Sequence, residues 1–127
     1  QNVGGAMVVS PDCNVDVIAK TKALGMQSYP GVLTPTEAFT ALRTGADGLK
    51  FFPASLVGPS GLKAMLAVLP VGCKTYAVGG AGPDNFADWF AAGITGFGIG
   101  TAIYKAGDGA DMVAKKAAAI VVAYDAG

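Results

Sequence analysis

Short apolar runs alternate along this chain with longer stretches whose apolar residues recur at helical spacing. The runs fall at 6–11, 27–32, 48–54, 74–80 and 96–100. Each has the length and side-chain character of a strand. Helical patterns fill the gaps. The first covers 15–24. The second starts at Thr34-Pro35-Thr36-Glu37 and runs through Leu42. There Thr34 suits the N-cap, Pro35 the first helical position and Glu37 the capping-box position. Further helices are predicted over 60–69, 83–92 and 111–124, the last alanine-rich and amphipathic. Gly5, Gly25, Gly45 and Gly93 precede four of the strands, as expected where a helix ends and the chain turns back. Trp89, with Phe86 and Phe90 on the same helix face, reads as core.

Strands alternating with helices predict a parallel α/β sheet. No Gly-x-Gly-x-x-Gly follows the first strand, so a dinucleotide-binding sheet has no support. Pro11, Pro30, Lys50, Phe52, Gly79, Gly80, Gly100 and Thr101 all fall at the C-terminal ends of strands. That is where (β/α)8 TIM barrels carry their active sites, although such a barrel needs eight strands and this chain supplies about five. The expectation is one domain over 1–127, an incomplete barrel with open edges. The chain begins Gln1-Asn2-Val3-Gly4-Gly5, with strand residues following almost at once. It therefore reads as the later part of a longer polypeptide.

Composition narrows the chemistry. Nine basic and nine acidic residues leave no net charge and no electrostatic footprint for nucleic acid or an anionic membrane. No apolar run suits a membrane span, and no leader pattern is visible. Cys13 and Cys73 lie far apart, without metal-like spacing, and read as free thiols in a reducing compartment. With no histidine, Ser-His and Cys-His nucleophiles and histidine metal sites are excluded.

Against that background Gly48-Leu49-Lys50-Phe51-Phe52-Pro53-Ala54 stands out. A buried strand does not carry a lysine unless the charge is paired or the neutral amine is wanted. A desolvated amine is a nucleophile toward carbonyls, which makes Lys50 a candidate Schiff-base lysine. The alternative is an edge lysine whose stem reaches solvent. Lys20, Lys22, Lys63, Lys115 and Lys116 lie on helices and read as solvated charges. Lys74 and Lys105 could approach an anion. Two glycine-rich strand ends, Val78-Gly79-Gly80-Ala81-Gly82-Pro83 and Gly98-Ile99-Gly100-Thr101, could close backbone N–H groups on a phosphate or serve only as tight turns.

Taken in order, Val9-Ser10-Pro11-Asp12, Tyr29-Pro30-Gly31, Thr34-Pro35-Thr36-Glu37-Ala38, Leu49-Lys50-Phe51-Phe52-Pro53-Ala54, Val78-Gly79-Gly80 and Gly98-Ile99-Gly100-Thr101 resemble the class I KDPG/KDPGal aldolases over essentially the whole chain. The resemblance implies a (β/α)8 barrel of which these residues are the fourth to eighth units. It implies Lys50 as the Schiff-base lysine and Phe52 as an aromatic beside it. Pro11 and Pro30 would lie at the mouth of the site, with Gly79, Gly80, Gly100 and Thr101 on the phosphate. Val78 falls where galactonate-type enzymes tend to carry valine and gluconate-type enzymes threonine. The implied reaction cleaves 2-dehydro-3-deoxy-6-phosphogalactonate to pyruvate and glyceraldehyde 3-phosphate in a cytoplasmic homotrimer, with no metal or organic cofactor. The alternatives are the gluconate or 4-hydroxy-2-oxoglutarate aldolase, or a silent half-barrel that binds phosphate or assembles with a partner. The family's general-base glutamate and carboxylate-binding arginine belong to earlier units. Glu37 reads as a helix cap instead, and Arg43 as a solvent-facing helix residue.

Overall fold

A computed structural model describes all 127 residues. Its elements follow in order as β1 (Met7–Val9), α1 (Val15–Ala23), β2 (Gln27–Tyr29), β3 (Gly31–Val32), α2 (Pro35–Arg43), β4 (Leu49–Phe51), α3 (Ala54–Leu66), β5 (Thr75–Val78), α4 (Phe86–Ala92), β6 (Gly96–Gly98) and α5 (Ala110–Asp125). The five predicted strand positions appear as six strands because the second run divides at Pro30. Proline has no N–H to give the ladder. Its carbonyl still accepts from the Lys50 N–H at 2.9 Å, so β2 and β3 act as one broken strand.

Every pairing is parallel. β1 pairs with β2, and β3, β4, β5 and β6 follow one another in chain order. A doubly wound sheet reverses its strand order at a switch point; this one does not. Sequential parallel order is that of a barrel wall, and the chain is a partial (β/α) barrel.

The alternation of side chains along each strand sets two faces. One packs on the helices: Val32, Leu49, Phe51 and Ala77 join Ile18, Ala38, Ala41, Leu62, Met65 and Trp89 in a single core. Leu49 and Phe51 have no exposed surface, and burial of such a side chain contributes about 1.5–3 kcal/mol. The other face is concave and half open.

Two helices depart from expectation. α3 begins at Ala54 rather than at 60, because a first turn forms directly after the strand. It then kinks where Gly58 takes φ +64° ahead of Pro59. α4 begins at Phe86, three residues after Pro83. Asn85 competes for the preceding backbone: its side chain accepts from the Gly82 N–H at 3.1 Å and donates to the Gly80 carbonyl at 2.9 Å. The expected glycine stops are present at Gly25, Gly45 and Gly93, all with positive φ, whereas Gly5 is not among the glycines of positive φ. No helix is long and apolar enough to cross a membrane.

Candidate active site

Lys50 lies in the middle of β4, between Leu49 and Phe51. Those two neighbours point into the core, so the two-residue period sends Lys50 to the concave face. The strand is therefore buried on one side only, and Lys50 is half-buried. Its Nζ stands over the Phe52 ring, 4.5 Å from the centroid. The two ion pairs of the chain, Lys22–Asp47 and Lys116–Asp108, leave Lys50 out.

A cavity of about 270 Å³ opens beside the amine, walled by Met7, Val9, Tyr29, Tyr76 and Val78. With Phe97 of β6, these residues come from four different strands, and only the barrel-like curvature brings them together. Val78 shares this cavity with Lys50. Pro11 is exposed on the loop after β1, and its carbonyl lies against Gly31; a Cβ on Gly31 would overlap it. Only glycine lets that loop settle beside the register partner of Lys50. Pro30 is fully buried, so it holds β4 through its carbonyl rather than offering its ring to a ligand.

The first glycine-rich end follows β5. Gly79 lies on Phe52: a Cβ there would be 3.4 Å from the ring. Its carbonyl accepts from the Ser55 N–H at 2.9 Å, which ties this loop to the start of α3. Gly80 has φ +90°, and a Cβ would come within 2.7 Å of the Ser55 Cβ. The second end follows β6, where the Gly100 carbonyl accepts from the Ile103 and Tyr104 N–H groups in a single turn. Gly80, Thr101, Asn85, Lys105 and Lys116 line one polar surface depression. Lys116 was read from the sequence as a solvated helix lysine. It reaches this depression because α5 folds back beside the loop, where it pairs with Asp108 at 2.6 Å. That amine, with the Lys105 N–H, holds the Asp108 carboxyl below the usual range. Lys74 sits just ahead of β5, at the opposite end of that strand from Gly79 and Gly80.

Glu37 is a cap. Its Oε2 accepts from the Leu33 N–H at 2.9 Å, the Thr34 N–H at 2.8 Å and the Thr34 hydroxyl at 2.8 Å. These bonds, the Leu33 N–H foremost, hold its carboxyl below the usual range, so it is a poor base. Arg43 is exposed and stands over Phe39, 5.6 Å from the ring centroid. Both cysteines are free. Burial pushes each thiol up, for Cys13 with Glu37 and Asp12 adding to it, so neither is an activated thiolate.

A family model described as "Aldolase: KDPG and KHG aldolase" matches residues 1–119. The chain is 50% identical over 125 residues to the probable 2-dehydro-3-deoxy-6-phosphogalactonate aldolase of Rhizobium meliloti (strain 1021), covering 98% of this chain and 59% of that protein. It is 45% identical over 122 residues to the 2-dehydro-3-deoxy-6-phosphogalactonate aldolase of Escherichia coli (strain K12), covering 96% and 60%. A solved structure described as native KDPGal superposes with a TM-score of 0.96 at 44% identity, covering 98% of this chain and 61% of that one. The chain thus spans about three fifths of the length of the curated relatives it matches.

Proposed function

The chain belongs to the KDPG and KHG aldolase family, and from that premise we propose that it carries the nucleophile of a Schiff-base aldolase cleaving 2-dehydro-3-deoxy-6-phosphogalactonate. The observation that carries the proposal is Lys50, alone among the lysines on the concave face, open to a largely apolar cavity and free of any ion pair. The relatives named for the galactonate substrate, and Val78 in the cavity wall, support that epimer.

The Lys50 amine, in its neutral form, adds to the C2 ketone of the substrate and water leaves, giving an iminium. A base takes the proton of the C4 hydroxyl. The C3–C4 bond breaks, its electron pair passes into the iminium, and glyceraldehyde 3-phosphate departs as the aldehyde. The enamine left on Lys50 takes a proton at C3. Water then hydrolyses the iminium, which releases pyruvate and restores the amine. No carboxylate lines the cavity, so the C4 proton goes to water or to a group outside this wall. Phe52 holds the amine over its ring. Pro11 and Pro30 frame β4, the first from the rim and the second through its carbonyl.

The phosphate rests on the Gly79–Gly80 and Gly100–Thr101 ends, where Gly80, Thr101, Lys105 and Lys116 line one depression. Gripping that remote group orients the reacting carbons over Lys50. The implied setting is a cytoplasmic homotrimer in galactonate breakdown. The test is cleavage of the two epimeric substrates by the purified natural protein. Faster cleavage of the galactonate epimer is expected, and activity should vanish in Lys50→Ala. Much faster cleavage of the gluconate epimer would overturn the substrate, and substantial activity in Lys50→Ala would overturn the mechanism.

A further inference from the structure

Two aromatic residues of the Lys50 cavity take no part in the chemistry above. Tyr29 ends β2, just before the β3 strand that pairs with β4, and Tyr76 stands on β5 on the other side; their rings meet at right angles, with centroids 5.4 Å apart. Gly48 lies two residues before Lys50, on the same face by the strand period. It has no side chain, and the Tyr29 ring fills that space: a Cβ on Gly48 would be 3.0 Å from the ring. The Tyr76 ring lies in the same way over Gly96, where a Cβ would be 3.3 Å away. The two glycines thus make room for two rings, Tyr29 just N-terminal of the lysine and Tyr76 beside it as its register partner. The Tyr29 hydroxyl donates to Gln27 Oε1 at 3.0 Å, two residues back along its own strand, and so points away from the C-terminal rim. Burial, with Tyr29 beside it, pushes the Tyr76 phenol up, so that hydroxyl places no negative charge near the amine.

We propose that Tyr29 and Tyr76 are positioning residues, whose crossed rings form a floor below and beside Lys50 and direct its amine toward Phe52 and the C-terminal rim. The proposal rests on the Schiff-base reading of Lys50. A floor of this kind acts through the lysine, so it governs the rate of imine formation and leaves the phosphate grip alone. The rings matter and the hydroxyls do not.

The experiment is the rate at which pyruvate and borohydride label Lys50 in the natural full-length protein and its variants, read by peptide mass. In Tyr29→Ala and Tyr76→Ala, labelling at saturating pyruvate should slow by about 10- to 100-fold, the scale of a misplaced reacting group. The KM for the phosphorylated substrate should hold within about twofold, as expected when ground-state binding is untouched. Tyr29→Phe and Tyr76→Phe should recover the lost rate. If an alanine variant does not fold, the leucine variant at that position takes its place, and slower labelling at an unchanged melting temperature is expected of it. Labelling at the wild-type rate in the alanine or leucine variants would overturn the floor, as would phenylalanine variants as slow as alanine. Labelling that persists in Lys50→Ala would overturn the Schiff-base reading itself, and the floor with it.

Discussion

At the scale of single residues, the site depends on where the two-residue period sends each side chain. Lys50 is exposed to the cavity because Leu49 and Phe51 fill the core on the other side. The same period sends Thr75 inward, and there its hydroxyl is buried with no hydrogen-bond partner. An unsatisfied buried hydroxyl costs about 1–3 kcal/mol, so Thr75→Val should raise stability by about 1 kcal/mol, read as a higher melting temperature. An unchanged or lower melting point would mean that the hydroxyl is satisfied. Val78→Thr should move the ratio of kcat/KM toward the gluconate epimer, measured with both substrates; an unchanged ratio would remove Val78 from the specificity account. Lys50 was legible in the sequence because a charge in an apolar run is visible without coordinates. Tyr29 and Tyr76 were not, since tyrosine is an ordinary strand residue and only the glycines opposite reveal what the rings do. Lys116 was hidden for a related reason: helical periodicity identifies a solvated face but not the loop that folds against it.

At the scale of elements, α2 was the most legible, because its start is written in local chemistry. Thr34 accepts from the Glu37 N–H at 3.3 Å, and Glu37 returns the bond to the Thr34 N–H, the reciprocal pattern expected from the spacing. Thr34→Ala should cost about 1 kcal/mol in chemical denaturation. The Glu37 carboxyl is depressed in the folded state. Its contribution is therefore complete above the unfolded value of about 4.3 and is lost as pH falls from there through the lower folded value. Glu37→Gln should flatten the stability curve across that acid window while altering its shape little near neutrality. An identical acid limb in both proteins would contradict the cap. The starts of α3 and α4 were less legible. The start of α3 is tied by the Ser55 N–H to the Gly79 carbonyl of a distant loop, and that of α4 is delayed by Asn85, which bonds back to Gly80 and Gly82.

At the scale of the whole molecule, the strand order and the cavity are consistent with one wall of a barrel. Met7 and Val9 on β1 are each 55% exposed, and α5 buries none of its residues although Val121 and Val122 are apolar. Tyr124 alone ties α5 to the aromatic cluster, with its ring centroid 5.3 Å from that of Phe90 and 6.3 Å from that of Phe97. Alternation in the sequence foretold the parallel sheet and its open edges. It could not foretell that four strands would converge on one lysine, because curvature is a property of the assembled sheet. In solution, light scattering on the natural protein should give the mass of three copies; a single-copy mass would contradict the trimer.

The most direct test of the central claim is intact-mass spectrometry with peptide mapping after exposure to pyruvate and borohydride. The account predicts one reduced pyruvyl adduct, located on Lys50. An unlabelled natural full-length protein, or an adduct on any other lysine, would contradict it.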